Sequence, residues 1–186
     1  MWATTSRQGT RTGTCTRCPV LGSSPYSARL AAQLGRPYAF ALQFGDADVV
    51  SAMRLYRESF RPSAVLAEPY ALVSVGVVVD DDAEEARRQA RSGAMAMLRM
   101  FQRKPYSLLP PAEVEAYAAT PQEQQVLDAY TDRFVNGTPV DVAAVLERLH
   151  ALSGADELML VTTGHARAAH ARTVELIADH YGLPGR

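Results

Sequence analysis

Between Leu21 and Gly35 the chain reads LGSSPYSARLAAQLG, which sets Gly22, Ser23, Ser24 and Ser27 at the mouth of an apolar-periodic stretch. Hydroxyl groups in that position can do two kinds of work. A serine can cap the helix, accepting from the N–H groups that a first turn leaves unbonded. Alternatively, hydroxyls and unbonded N–H groups together form a seat for an anion such as a phosphate, and a glycine there lets the backbone approach it closely. On the residues alone both readings stand.

Other polar groups fall at comparable places. Gln43 ends the apolar run PYAFALQF, where its amide can reach a bound ring with Phe44 beside it; Asp46 reads as a helix cap. Asp80–Asp82 open a helix and read as a capped, solvated start rather than a metal site. Thr162, Thr163, Gly164 and His165 close the last apolar run and suit a binding loop, with Thr162 the candidate contact. No GxSxG and no HExxH occurs, and His165 and His170 are five apart, so they do not share a helix face as i,i+4 ligands would. The sequence names no catalytic residue and no metal site. Redox chemistry here has to come from a bound organic cofactor, with the fold providing placement. Cys15 and Cys18 form a CxxC, but Pro19 follows and no further ligands lie close, so the pair reads as coincidental rather than redox-active or zinc-binding.

These groups must be carried by a single folded unit. The chain has 186 residues, 47% of them apolar, which is enough for one core. With 21% charged residues, a formal net charge of −1 and no sustained basic stripe, nothing points to a nucleic-acid partner. The longest apolar run, Tyr70–Val79, falls far short of the ~20 residues that span a bilayer. Residues 1–19 are rich in threonine and arginine, hold no acid and lack the apolar region of a secretory signal. They read as a disordered leader, and the protein as cytoplasmic.

From residue 20 to 182 short apolar runs alternate with longer amphipathic stretches. Helical spacing is expected over Tyr26–Leu34, Ala47–Phe60, the stretch after Asp82, Pro121–Phe134, the stretch after the Thr138 cap and Ala166–His180. Strands are expected at Val20–Leu21, at PYAFALQF, at Tyr70–Val79 and at Glu157–Thr163. An irregular, proline-rich excursion near 102–124 interrupts the rhythm. About four β/α units predict an α/β fold with a parallel sheet, a partial (β/α)8 barrel. Ligands in such folds sit beyond the carboxyl ends of the strands, which is where the candidate residues fall. Half a barrel would also expose the apolar face that a closed barrel keeps inside.

The ordered series LGSSPYSARLAAQLGRPYAFALQF, LYRESFRPS, PYALVSVGVVVDDDAEEARRQA, GTPVDVAAVLERL and GADELMLVTTGHARAAHARTVELIA resembles the C-terminal half of the luciferase-like flavin-dependent monooxygenases, over roughly residues 20–180. That resemblance implies a (β/α)8 scaffold using reduced FMN, or in some branches the deazaflavin F420, with molecular oxygen or a hydride acceptor. It implies that the loop of Gly22, Ser23, Ser24 and Ser27 grips the cofactor phosphate, and that the 102–124 segment lies near a mobile covering insertion. It also implies reduced flavin delivered by a separate reductase, a small organic substrate, and a homodimer or complementing chain. Where the family commonly shows arginine, any residue, arginine, serine, tyrosine, this chain has His170, Arg172, Thr173 and Val174. The resemblance further predicts a chain cut short at its N-terminus: four strand–helix units would be absent, and the isolated half would bind flavin poorly or persist as a non-catalytic remnant.

Overall fold

The computed structural model describes residues 18–44 and 48–183; Cys15, Asp46 and most of the threonine-rich leader lie outside the described residues. Five parallel strands build one sheet: β1 (Val20–Gly22), β2 (Tyr38–Ala41), β3 (Ala71–Val79), β4 (Val135–Gly137) and β5 (Glu157–Thr162). Among the described residues seven helices accompany them: α1 (Pro25–Gln33), α2 (Val49–Ser59), α3 (Ala83–Phe101), α4 (Pro111–Glu115), α5 (Pro121–Asp132), α6 (Pro139–Ser153) and α7 (Arg167–His180). This is the expected α/β architecture of a partial (β/α) barrel.

β3 is the spine of the sheet. Its β-branched run is buried throughout except at Leu72, as a strand covered on both faces must be. Val73, Val75, Val77 and Val79 point to one face and share a core with Ala28 and Ala31 of α1, Met53 and Tyr56 of α2, Leu146 of α6 and Leu176 of α7. Leu72, Val73 and Ser74 pair with both β2 and β5, so those strands flank β3. Val77 pairs with both Val135 and Thr162, which puts β4 on the edge that β2 leaves after Ala41.

Two local differences from the sequence reading follow from this arrangement. The PYAFALQF run stops being a strand at Ala41 and turns into a 3-10 segment, Leu42–Phe44. The Asn136-Gly137 pair, whose residue types favour a turn, instead lies in the three-residue strand β4, because pairing with Val77–Val79 overrides its local chemistry.

The chain leaves β3 through α3, α4 and α5 before returning in β4 on the β2 side. A right-handed connection that reverses direction along the sheet must run over the opposite face. Accordingly Val78, Ala90 and Phe134 form a separate cluster, and Ala94, Met95, Leu98, Val114 and Leu127 tie α3, α4 and α5 into a helical cap. Cap and sheet meet where two glycines make room: a Cβ on Gly76 would lie 2.5 Å from the Phe134 ring, and one on Gly93 3.2 Å from it. The interior face expected to be open is therefore covered at Gly76 and Val78. Toward its margins Leu21 remains 60% and Met159 44% exposed.

Candidate functional site

Parallel pairing in register brings Gly22, Ala41, Val79, Gly137 and Thr162 to one edge of the sheet. At the first of these ends, the serines divide their labour. Ser24 caps α1, its Oγ accepting from the Ser27 N–H at 3.4 Å, and Ser27 Oγ accepts from the Ser24 N–H at 3.3 Å, completing a capping box. Ser27 also donates to the Ser24 carbonyl at 2.7 Å and meets the Tyr38 hydroxyl at 3.3 Å. Burial, opposed by the Ser27 bond, raises the Tyr38 pKa above its ordinary value; with the Ser27 hydrogen given to the Ser24 carbonyl, the phenol is the donor in that pair. Gly22 is fitted to this knot, because a Cβ there would collide with the Ser27 side chain. Two of the three serines thus hold the bend in shape. The Ser23 hydroxyl and the Tyr26 N–H have no partner among the described residues and stay available to an anion.

At the end of β2, Gln43 Nε2 donates to Ser74 Oγ at 3.2 Å, and the amide oxygen Oε1 is buried without a hydrogen bond. An unbonded buried acceptor is costly, and a ligand N–H placed there would satisfy it. Phe44 is exposed rather than packed beside the amide.

The end of β5 is organised by a residue the sequence left unassigned. Thr162 Oγ1 lies 2.9 Å from His170 Nδ1, while His170 Nε2 lies 2.7 Å from the Gly164 carbonyl oxygen. A carbonyl only accepts, so Nε2 carries a proton, and in the neutral imidazole Nδ1 takes the Thr162 hydroxyl hydrogen. The Thr162 side chain is thus turned toward α7 with its donor committed. Its neighbour Thr163 points the other way, and its Oγ1 is buried without a partner, 3.3 Å from where a Cβ on Gly93 would sit. Strand alternation carries that distinction, since only one of two successive threonines can face the cap. His165 is exposed and donates from Nδ1 to the Leu108 carbonyl at 2.7 Å, fastening this loop to the segment between α3 and α4.

The aspartates after β3 are all engaged in structure. Asp82 caps α3, Asp81 pairs with Arg172, and Asp80 accepts from the Asp82 N–H. Among the described residues no cluster of three histidine, cysteine or carboxylate groups could hold a metal ion, and no helix is long and apolar enough to cross a membrane. Thr173 seals the end of β3, its hydroxyl bonding both the N–H and the carbonyl of Val79 at 3.1 and 3.2 Å. A groove of about 760 Å3 lined by Leu146, Leu158, Leu160 and Ile177 lies on the helix-covered face and reaches Thr162 at the end of β5.

Comparison with known proteins places this arrangement. The family described as Luciferase-like monooxygenase matches residues 11–155. The uncharacterised protein YvbT of Bacillus subtilis is 39% identical over 160 residues, covering 86% of this chain and 48% of the relative. The crystal structure of apo-MsnO8 superposes with a TM-score of 0.76 at 29% identity, covering 89% of this chain and 51% of that one. The oxygenating constituent of 3,6-diketocamphane monooxygenase from Pseudomonas putida, in complex with FMN, shares the fold, with a TM-score of 0.58 at 20% identity, covering 91% of this chain and 50% of that one. The chain spans about half the length of the curated relatives it matches. One expectation is corrected by these matches. The family match begins at residue 11, inside the stretch read as a leader, and the solved folds cover 89% and 91% of the chain. The likeness belongs to most of this molecule and does not mark it as a truncated C-terminal half. The chain belongs to the luciferase-like monooxygenase family.

Proposed function

We propose that the chain binds flavin mononucleotide with its phosphate at the Gly22–Ser27 bend and serves the monooxygenation of a small organic substrate. The observation that carries this reading is the pair of donors without a partner among the described residues, Ser23 hydroxyl and Tyr26 N–H, on a bend whose other serines hold its shape. The positive end of α1 adds to the attraction for an anion. The Pseudomonas putida protein of the same fold is described in complex with FMN, which supports the choice of cofactor. Gln43 Oε1, buried and unbonded, fits an N–H on the edge of a flat polar ring.

Bound reduced flavin would supply the electrons and the oxygen chemistry that no side chain here can. The protein's own part is placement. Ser23 and Tyr26 hold the anionic tail, Gln43 orients the ring, and the α3–α5 cap keeps water from the Gly76 edge of the sheet. Thr162, with its hydroxyl committed to His170, supports the loop rather than the ligand. Reduced flavin would come from a separate cytoplasmic reductase, and the chain would act as a homodimer.

Titration with FMN, riboflavin and F420, followed by flavin fluorescence, tests the reading. FMN is expected to bind at least tenfold more tightly than riboflavin, which lacks the phosphate, and Ser23→Ala should narrow that gap. Equal affinity for FMN and riboflavin would refute the phosphate seat, and tighter binding of F420 would reassign the cofactor.

A further inference from the structure

Among the described residues the sheet has two unpaired borders. β1 pairs only with β2, and β5 pairs only with β3. The Val20 N–H bonds the Pro37 carbonyl at 2.8 Å, so strand alternation turns the N–H and carbonyl of Leu21 outward, to the free border of β1. β5 follows β3 in unbroken register, without a bulge, and Leu158–Thr162 holds no charge and no proline. An edge strand left so apolar and unguarded is a template for another strand.

The faces agree with the borders. Register carries Leu21 through Ala39 and Leu72 to Glu157, on the face opposite the main core, and Met159 and Val161 share that face by alternation. In its middle Ala39, Ala41 and Ser74 are buried, whereas Leu21 and Met159, one on each border strand, are 60% and 44% exposed. The groove over Leu158 and Leu160 lies on the other face of β5, so neither face of that strand is fully covered.

A second copy satisfies both borders at once. Turned about a two-fold axis along the strands, it lays its β1 parallel to β5 of the first copy and its β5 parallel to the first copy's β1. Strands β1, β2, β3 and β5 of the two copies then make eight, the number at which interior side chains just fill a ring. One copy matches 51% of the apo-MsnO8 chain, so a pair has about its full length. A ring of this kind closes with a shear of about eight residues, four from each copy. Four residues along β5 from Glu157 is Val161. We infer that two copies of this chain close a (β/α)8 ring, with Leu21 of each opposite Val161 of the other. At that register the Leu21 N–H meets the Leu160 carbonyl and the Leu21 carbonyl meets the Thr162 N–H, as a parallel ladder requires. The closure deepens the homodimer reading above and rests on it.

The test uses the full chain without flavin. Sedimentation velocity should give twice the monomer mass, and Met159→Lys should give a monomer whose far-ultraviolet circular dichroism matches the parent. For the register, Leu21→Cys and Val161→Cys are made separately in a chain whose Cys15 and Cys18 are replaced by serine, then mixed, allowed to exchange and oxidised. A disulfide should join the two variants to each other and neither to itself. A monomeric parent chain, or a dimer unmoved by Met159→Lys, would overturn the ring. So would self-linking of Val161→Cys, the mark of antiparallel pairing between two β5 strands. A ring that fails to distinguish FMN from riboflavin would sink only the phosphate seat, and a monomer that distinguishes them would sink only the ring.

Discussion

His170 of α7 donates its Nε2–H to the carbonyl oxygen of Gly164, 2.7 Å away, and thereby fixes which ring nitrogen is left to receive Thr162. One imidazole ties the last residue of β5 and the loop beyond it to the closing helix. Replacing it strands a hydroxyl and a carbonyl at once. His170→Ala should cost about 1–2 kcal/mol of stability and speed amide exchange at Thr163–Ala166 before the rest of the sheet. Uniform exchange across β5 and the loop would contradict that local role.

The serines of the bend should separate into structural and ligand-facing classes. Ser27→Ala loses half of the capping box and the Tyr38 contact, so it should lower stability by about 1 kcal/mol wherever flavin stands. Ser23→Ala should leave the melting temperature within experimental error and weaken FMN instead. If both variants moved stability alike, the division read from the hydrogen bonds would be wrong.

Gly76 is a steric requirement of the cap. Gly76→Ala brings a Cβ within 2.5 Å of the Phe134 ring and should destabilise by about 1–3 kcal/mol, the usual cost of overpacking. Combining it with Phe134→Leu should recover part of that loss, which thermal denaturation of the two single variants and the double variant would reveal. Additive losses would show that the two positions do not meet.

Tyr70 offers a pH-dependent check. Burial first, then its hydrogen bond to the Glu157 carboxylate, push its pKa from 10.0 to about 12. A pKa raised on folding means that the neutral phenol is favoured in the native state. That contribution is complete below the unfolded value and is lost as pH climbs through the folded one. Ultraviolet titration should show a phenol ionising near the upper limit that disappears in Tyr70→Phe, and the variant should lose less stability than the parent between pH 10 and pH 12.

Much of this was legible in the residues. The longest apolar run marked β3, Thr138 announced α6, and the LGSSPYS bend was recognisable as a helix mouth. What escaped were consequences of pairing and of facing. Asn136-Gly137 has turn chemistry, and only its alignment with Val78 and Val79 makes it a strand. Thr162 and Thr163 are the same residue type, and the strand's alternation decides which one meets His170 and which one meets Gly93. His170 itself carries no local pattern, because its partners lie on the preceding strand and loop.

The lobe formed by α3, α4 and α5 leaves the sheet at Asp80 and rejoins it at Val135, where β4 pairs with Val77, and the Asp80 N–H bonds the carbonyl of Gly137 at the end of β4 at 3.3 Å. Its two stems are therefore stitched together at a narrow neck. A segment joined in this way can be lengthened, shortened or exchanged for another without unpicking the strands beneath it. Grafting a different lobe onto the same neck is thus a route by which the surface beside β3 could change while the Gly22–Ser27 bend stays as it is.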